Sequence, residues 1–207
     1  MSELHFQCLL GIQCNDFVMM AADQALTQSV ILLENDGNKL YEVSDNIMLG
    51  LNGDMGDTAQ FAEYLAKNLQ LYKMRNSYSL KTASVAHFAR NHMVEAFHKG
   101  TPKMLNILIA GYDEECGGQL YTMDFLASCM KVSHASHGLG GYLSLGILDQ
   151  YYKPNLTEKE AYEILKLCVH EIQQRLFINL SKFRVKTVSR HGIRQLPTID
   201  IASFLQT

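Results

Sequence analysis

The order of the apolar patterns along this chain constrains its fold more than any single motif does. Short alternating or fully apolar runs fill the first fifty residues, and turn-forming stretches such as Asn35–Asn38 separate them. Such runs predict strands, because successive side chains of a strand point to opposite faces. The four predicted strands are Leu9–Ile12, Phe17–Ala22, Lys39–Val43 and Ile47–Leu51.

Two amphipathic helices are predicted to follow these strands. Their apolar residues recur at spacings of three and four, which places them on one face of a helix. Gly100 and Pro102 end the second helix. The two stripes are Phe61, Leu65, Leu69 and Tyr72 in the first helix, and Val85, Phe88, Ala89, His92 and Ala96 in the second.

More strands and a further helix are predicted in the second half of the chain. The strands are Met104–Ala110, Gln119–Met123 and Met130–His134. Tyr142–Tyr152 carries apolar residues on nearly every face, a pattern that predicts a buried helix.

A last helix and a hairpin complete the pattern. Thr157 and Glu160 form a capping box that opens the helix. Phe183–Val188 and Ile193–Leu196 are predicted to pair as a hairpin. The inward-facing residues of the helix are Ala161, Ile164, Leu165, Cys168 and Ile172.

The resulting order is strands, two helices, strands, two helices and strands. This order predicts an α+β or a layered α/β fold. The chain contains no Pro/Gly-rich linker and no internal repeat, so we expect residues 1–207 to form a single domain.

Composition excludes several classes of function. The net charge of −3 and the absence of Lys/Arg clusters argue against nucleic-acid binding. The longest apolar runs, such as Phe17–Ala22, are too short to span a membrane, and we expect no signal peptide. The five cysteines are scattered, odd in number and never spaced CxxC, which indicates a reduced compartment.

One segment carries a strong resemblance. Residues 17–25 read FVMMAADQA, and Lys39 follows Asp23 by sixteen positions. This arrangement resembles the opening of the proteasome beta subunits, which belong to the N-terminal nucleophile hydrolases. The resemblance implies that active members use a threonine, freed as the first residue of the mature chain, as the nucleophile. Its place here falls at Gln7, whose amide is no nucleophile, and the first threonine of the chain is Thr27.

Three longer stretches extend the resemblance from about Leu9 to Gly192. They are Gly56–Asn76, Ile107–Phe125 and His137–Thr157, and they look like the non-catalytic beta subunit at the fourth position of the ring. The resemblance implies a four-layer αββα sandwich, in which two antiparallel sheets lie face to face with a helix pair outside each.

The same resemblance implies a function and its partners. We expect a non-catalytic structural subunit of the 20S proteasome core particle, in which sibling threonine-protease subunits degrade mostly ubiquitin-tagged proteins. The implied partners are beta subunits of the same ring, beta subunits of the opposite ring and alpha-ring subunits. Cytoplasm and nucleus are the expected locations. No cofactor, nucleic acid or membrane partner is expected.

The site residues are therefore expected to be vestigial, and these are Gln7, Asp23 and Lys39. A buried carboxylate and ammonium stabilise each other's charged forms, which is reason enough to retain the Asp23–Lys39 pair after catalysis is lost. Leu176 and roughly Asn179 stand where the resemblance implies an Asp and a Ser in active members. A proton relay cannot be built through leucine.

Cys8 provides the alternative. If residues 1–7 were removed, Cys8 would present a thiol and an α-amine, and the chain could be an active N-terminal nucleophile amidohydrolase. We expect instead that Cys8 is a small packing residue and that residues 2–7 remain in the mature chain.

Histidines and glycines suggest two further sites, neither of which we expect. His87, His92 and His98 lie on or near one predicted helix, without the spacing of a metal motif, and His92 falls on its apolar stripe. Gly138–Gly141 precedes a helix but lacks the pattern of a phosphate loop, and close helix packing explains these glycines better.

Overall fold

The computed structural model describes residues 7–28 and 31–200. The helices within these residues are α1 (Met55–Asn76), α2 (Thr82–His98), α3 (Leu139–Tyr151) and α4 (Glu158–Arg175). The strands are β1 (Leu9–Gln13), β2 (Phe17–Asp23), β3 (Leu26–Gln28), β4 (Ile31–Glu34), β5 (Leu40–Ser44), β6 (Ile47–Gly53), β7 (Leu105–Asp113), β8 (Gly117–Met123), β9 (Cys129–Val132), β10 (His134–His137), β11 (Lys182–Ser189) and β12 (Gly192–Asp200).

Two antiparallel five-stranded sheets form the centre of the fold. The first sheet has the order β10-β1-β2-β11-β12, and the second has the order β5-β6-β7-β8-β9. Strands β3 and β4 pair in a separate ribbon. Helices α1 and α2 pack on the second sheet, and α3 and α4 pack on the first. The predicted α+β sandwich of two sheets flanked by helix pairs is confirmed.

The central strand β2 shows why the sheets stack in this way. All seven of its residues are buried. Phe17 and Met19 face the core beneath α3 and α4, whereas Val18 and Met20 face the core between the two sheets. A strand that is apolar on both faces must be covered on both, and this requirement produces the layered arrangement.

The starts of α1 and α4 follow the local sequence closely. The Asp54 side chain accepts hydrogen bonds from the backbone N–H groups of Gly56 and Asp57 at the start of α1. Thr157 and Glu160 form the predicted capping box at the start of α4. None of the helices in the described part of the chain combines the length and apolarity needed to cross a bilayer.

The predicted strand Met130–His134 is wrong as a single element. Ser133 divides it, so that β9 belongs to the second sheet and β10 belongs to the first. The backbone N–H of Gln13, at the end of β1, donates to the Ser133 carbonyl at 2.7 Å where the chain changes sheets. The alternation of side chains alone does not reveal which sheet a residue joins.

The apolar sequence of α3 predicted a helix buried on all sides, but the structure shows that one side is exposed. Tyr142 is 76% exposed and Tyr151 is 45% exposed. The buried face consists of small residues and one leucine, namely Gly140, Gly141, Ser144 and Leu148. Small side chains allow close contact with the sheet, and the large aromatic residues remain outside. The β3–β4 ribbon was not predicted at all.

Candidate functional site

Three residues predicted to mark the vestigial site meet in one buried region. Gln7 precedes β1, Asp23 ends β2 and Lys39 precedes β5. Their exposed fractions are 4%, 1% and 6%, respectively. The antiparallel pairing of β1 with β2 places Gln7 and Asp23 at the same end of the first sheet, and β5 brings Lys39 there from the second sheet.

Asp23 and Lys39 form a buried ion pair. Lys39 Nζ lies 2.6 Å from Asp23 Oδ2 and donates a second hydrogen bond to the Ala25 carbonyl at 2.7 Å. The Asp23 carboxylate also accepts the backbone N–H of Cys8 at 2.6 Å and that of Ala25 at 3.1 Å. The carboxylate therefore connects the residue before β1, the segment after β2 and the lysine.

Opposing effects act on the protonation of Asp23. Burial raises the pKa of the Asp23 carboxyl, whereas the charge of Lys39 and the hydrogen bonds from Cys8, Lys39 and Ala25 lower it. These donors offset part of the free energy needed to bury a charge. In this arrangement Asp23 acts as a structural acceptor, since its oxygens are already engaged by groups of the chain itself.

Gln7 is the residue that the family resemblance predicts at the nucleophile position. Its Oε1 accepts the backbone N–H of Gly53 at 2.9 Å, and its Nε2 donates to the Gly53 carbonyl at 3.2 Å. A carboxamide has no ionisable nucleophilic atom, and both of its polar ends are used here in pairing with one residue. A cavity of about 150 Å³ adjoins this pair, and Gln7, Lys39, Tyr41 and Met55 are among its lining residues.

Cys8 is a fully buried residue of the core between the first sheet and helices α3 and α4. Burial raises the pKa of its thiol well above the usual range, and the charge of Asp23 adds to this effect. A protonated thiol is a poor nucleophile. Cys168 of α4 lies in the same core, and burial raises its pKa to about 12. Both thiols therefore behave as small packing groups.

The family resemblance predicts that Leu176 and roughly Asn179 replace an Asp and a Ser of active members, and both residues follow α4. Leu176 is the C-cap of α4 and packs against the core of the first sheet. Asn179 is exposed. The Leu176 side chain has no polar atom, so it can neither orient nor move a proton.

The histidines of α2 do not form a metal site with their neighbours. His92 stacks on Tyr64 of α1 with ring centroids 4.0 Å apart, and burial lowers the pKa of its imidazole. Within residues 7–28 and 31–200, no group of three or more His, Cys, Asp or Glu side chains could hold a metal ion.

Gly53 and Ala25 belong to the site but could not be identified from the sequence. Gly53 is 46 residues away from Gln7, and only the pairing of strands in the fold brings them together. The dipeptide Gly53-Asp54 does indicate a turn before α1, and in the structure Asp54 is the N-cap of this helix. Nothing local indicates which side chain would meet the turn.

Comparison with known proteins connects this geometry to a family. A family model described as "Proteasome subunit" matches residues 5–188. The chain belongs to the proteasome subunit family. This membership confirms the resemblance drawn from the FVMMAADQA segment and from Lys39.

Within the proteasome family, curated relatives match nearly the whole chain. Proteasome subunit beta type-2-A of Arabidopsis thaliana is 37% identical over 91% of this chain and 92% of its own length. Proteasome subunit beta type-2 of Oryza sativa is 34% identical over 91% of this chain and 89% of its own. Proteasome subunit beta type-4 of Saccharomyces cerevisiae is 34% identical over 91% of this chain and 96% of its own length.

Proposed function

We propose that this chain is a non-catalytic beta subunit of a 20S proteasome core particle. The relatives named beta type-2 support the assignment to the beta class. The observation that carries the non-catalytic part is the pairing of the Gln7 carboxamide with both backbone polar groups of Gly53. No hydroxyl, thiol or amine is available at that position for attack on a peptide carbonyl.

In this proposal the chain contributes wall surface to a closed proteolytic chamber. Its partners are neighbouring beta subunits of the same ring, beta subunits of the opposite ring and alpha-ring subunits, and its location is the cytoplasm and nucleus. Sibling subunits carry out the cleavage of proteins, mostly ubiquitin-tagged ones. A subunit of such a ring must complement several different neighbours at once, which is a demand on its surfaces rather than on a catalytic site.

Substitution of Cys8 tests the competing hypothesis of an active Cys8 nucleophile. Cys168→Ala is the matched control, because both thiols are fully buried in the same core. We expect particles that contain either variant to hydrolyse peptides at the rate of the unmodified particle, within about twofold per assembled particle. Loss of one peptidase activity with Cys8→Ala, but not with Cys168→Ala, would overturn the proposal.

The proposal also concerns the N-terminus of the mature chain. Gln7 is almost completely buried and makes two hydrogen bonds to Gly53. We expect the mature subunit to retain residues 2–7, because Gln7 has no hydroxyl or thiol with which the chain could cleave itself before this position. Loss of Gln7 itself would also remove both partners of the Gly53 backbone. N-terminal sequencing of the assembled particle checks this. A mature chain beginning at Gln7 or Cys8 would contradict it.

A further inference from the structure

We propose that Ser133, His134 and Asp149 form a nucleophilic site that accepts acyl groups from activated esters. The site lies at the opposite end of β1 from Gln7, where the chain passes from the second sheet to the first. Its chemistry is separate from that of the proposed function, because it uses none of the residues at the vestigial threonine-protease position.

The three side chains are joined by two hydrogen bonds. Ser133 Oγ lies 3.1 Å from His134 Nδ1, and His134 Nε2 lies 2.8 Å from Asp149 Oδ1. A carboxylate only accepts hydrogen bonds, so in the neutral imidazole Nε2 carries the proton and Nδ1 has a free lone pair. The Ser133 hydroxyl can therefore donate to Nδ1. This order of nucleophile, base and orienting carboxylate recurs in hydrolases of unrelated folds.

Backbone pairing and an aromatic ring hold the nucleophile and the base in place. The backbone N–H of Gln13 donates to the Ser133 carbonyl at 2.7 Å, and His134 pairs in register with Ile12 of β1. On the other side, the ring of Tyr152 lies against the imidazole, with ring centroids 5.3 Å apart. Because both residues are fixed on a sheet, little ordering is needed before reaction.

The position of Asp149 suits an orienting role better than a stabilising one. Asp149 lies in the last turn of α3, where the helix dipole favours cations and not carboxylates. Its side chain is 72% exposed, so solvent weakens its attraction to His134, whose side chain is 15% exposed. The contact therefore contributes little to stability, and its main effect is on the orientation and the tautomer of the imidazole.

The reaction uses the Ser133 hydroxyl as the attacking group. Its Oγ forms a bond to the carbonyl carbon of the ester, Nδ1 of His134 accepts the hydroxyl proton, and the bond to the leaving group breaks. Aryl esters suit the site, because a phenolate departs without needing a proton. Water then attacks the acyl-serine, the acid is released and the proton returns to Ser133. Both residues are partly exposed, so a small ester can reach them.

Labelling of the purified full chain with diisopropyl fluorophosphate tests the proposal. This reagent forms a phosphate ester with a reactive serine and releases fluoride. Ser189 is the matched control, because it is also partly exposed and lies two residues before a histidine. Its Oγ, however, accepts the backbone N–H of His191 at 3.3 Å and does not contact the imidazole. We expect peptide mass spectrometry to show Ser133 labelled roughly 100-fold faster than Ser189. Equal rates would overturn the proposal.

Variants of the other two residues test their roles. We expect His134→Gln to slow labelling of Ser133 by roughly 100-fold. Asp149→Asn should slow it by about tenfold, because the Asn NH2 group can donate to Nε2 and favour the tautomer whose Nδ1 cannot accept a proton. Asp149→Glu should restore most of the rate. Tm measurements show whether each variant folds. An unchanged rate in His134→Gln, or equal losses in Asp149→Asn and Asp149→Glu, would contradict these roles.

Hydrolysis of 4-nitrophenyl acetate by the full chain measures turnover at the same site. We expect Ser133→Ala to abolish the hydrolysis above background, and Ser189→Ala to leave it unchanged. Ser133→Ala removes one partly exposed hydroxyl, and the labelling comparison of Ser133 with Ser189 needs no variant, so the test does not depend on a variant that fails to fold. Loss of hydrolysis in both variants, or in neither, would overturn the proposal. These readouts do not involve peptide hydrolysis, so they are independent of the Cys8 test of the proposed function.

Discussion

Asp23 Oδ1 lies 2.6 Å from the backbone nitrogen of Cys8, and the backbone N–H of Asp23 donates in turn to the Cys8 carbonyl at 3.0 Å. This reciprocal contact ties the start of β1 to the end of β2, and Lys39 takes no part in it. The ion pair is thus one of several interactions that use the Asp23 carboxylate, and its removal has consequences that a mutant cycle can separate.

We predict that Lys39→Met lowers the free energy of unfolding by about 3–5 kcal/mol, because it leaves the Asp23 carboxylate buried without a counter-ion. The double variant Asp23→Asn with Lys39→Met should recover part of this loss, since no charge then remains. Recovery should be incomplete, because Cys8 and Ala25 donate to different oxygens of Asp23, and in Asn an NH2 group replaces one of these oxygens. Urea unfolding of both single variants and the double variant measures the coupling.

Lys186→Met is the matched control for this cycle. Lys186 is also buried, and its Nζ lies 2.7 Å from Glu42 Oε1, but the Glu42 side chain is 54% exposed. Water can therefore solvate Glu42 when Lys186 is lost, and the penalty should be clearly smaller than that of Lys39→Met. If the double variant were no more stable than Lys39→Met alone, the unpaired Asp23 charge would not be the cause of the stability lost in Lys39→Met.

A pH-dependent loss of stability is predicted from His137. Burial lowers the pKa of this imidazole, and its Nε2 lies 2.9 Å from Thr122 Oγ1. The unfolded chain binds the proton at higher pH than the folded chain does, so stability is complete above about pH 6.5 and falls as the pH decreases below it. We expect His137→Gln to weaken this dependence, as measured by urea unfolding at several pH values.

His92 provides the comparison for His137. Burial lowers its pKa as well, but its imidazole is less deeply buried than that of His137 and stacks on Tyr64. We expect His92→Gln to reduce the acid dependence less than His137→Gln does. Identical pH profiles for the unmodified chain and His137→Gln would contradict the prediction.

A carboxylate far along the chain caps helix α2. The backbone N–H of Thr82 donates to both oxygens of Asp113, at 3.2 Å each, and Gln119 Nε2 donates to the same carboxylate at 3.0 Å. We predict that Asp113→Ala lowers the free energy of unfolding by about 1–2 kcal/mol, the usual effect of losing a helix N-cap. The N-cap residue itself, Lys81, makes no side-chain capping bond.

Glu115→Ala is the control for Asp113→Ala. Glu115 follows Asp113 in the same turn and forms an ion pair with Lys81, but both side chains are largely exposed. Such a pair contributes little, so we expect a change below about 1 kcal/mol. Similar losses for the two variants would indicate that the turn, and not the cap, governs the stability of this region.

The cap of α2 illustrates which features the sequence could predict. The capping box of α4 depends on residues three positions apart and was predicted correctly. The cap of α2 depends on a carboxylate 31 residues away, and no local pattern indicates it. Asp23 and Lys39 are also far apart in the sequence, so only the family resemblance indicated that they pair. The contact between Gln7 and Gly53 was found only in the structure.

Strand assignment shows a similar limit. Continuous apolar runs predicted the interior strands β2 and β6, which are buried on both faces. The division of Met130–His134 at Ser133 depends on which sheet each half joins, and this is decided by partners elsewhere in the chain. The short β3–β4 ribbon has too few residues to produce a distinct pattern.

One buried hydroxyl has no hydrogen-bond partner among the residues that the structure describes, and it belongs to Thr82 at the start of α2. An unpaired buried polar group lowers stability, so we predict that Thr82→Val raises the free energy of unfolding by about 1 kcal/mol. Valine keeps the shape and the branching at Cβ. The hydrogen bond from the backbone N–H of residue 82 to Asp113 is also retained. Urea unfolding of the full chain measures the change.

Thr187→Val is the matched control, because Thr187 is equally buried but its hydroxyl donates to the Val18 carbonyl at 3.3 Å. The same substitution there removes a hydrogen bond and leaves a buried carbonyl with one partner fewer, so we expect a loss of about 1 kcal/mol. The two variants should therefore change stability in opposite directions. A loss of stability in both would mean that the Thr82 hydroxyl has a partner in solution, because replacing an unpaired hydroxyl by a methyl group removes no interaction.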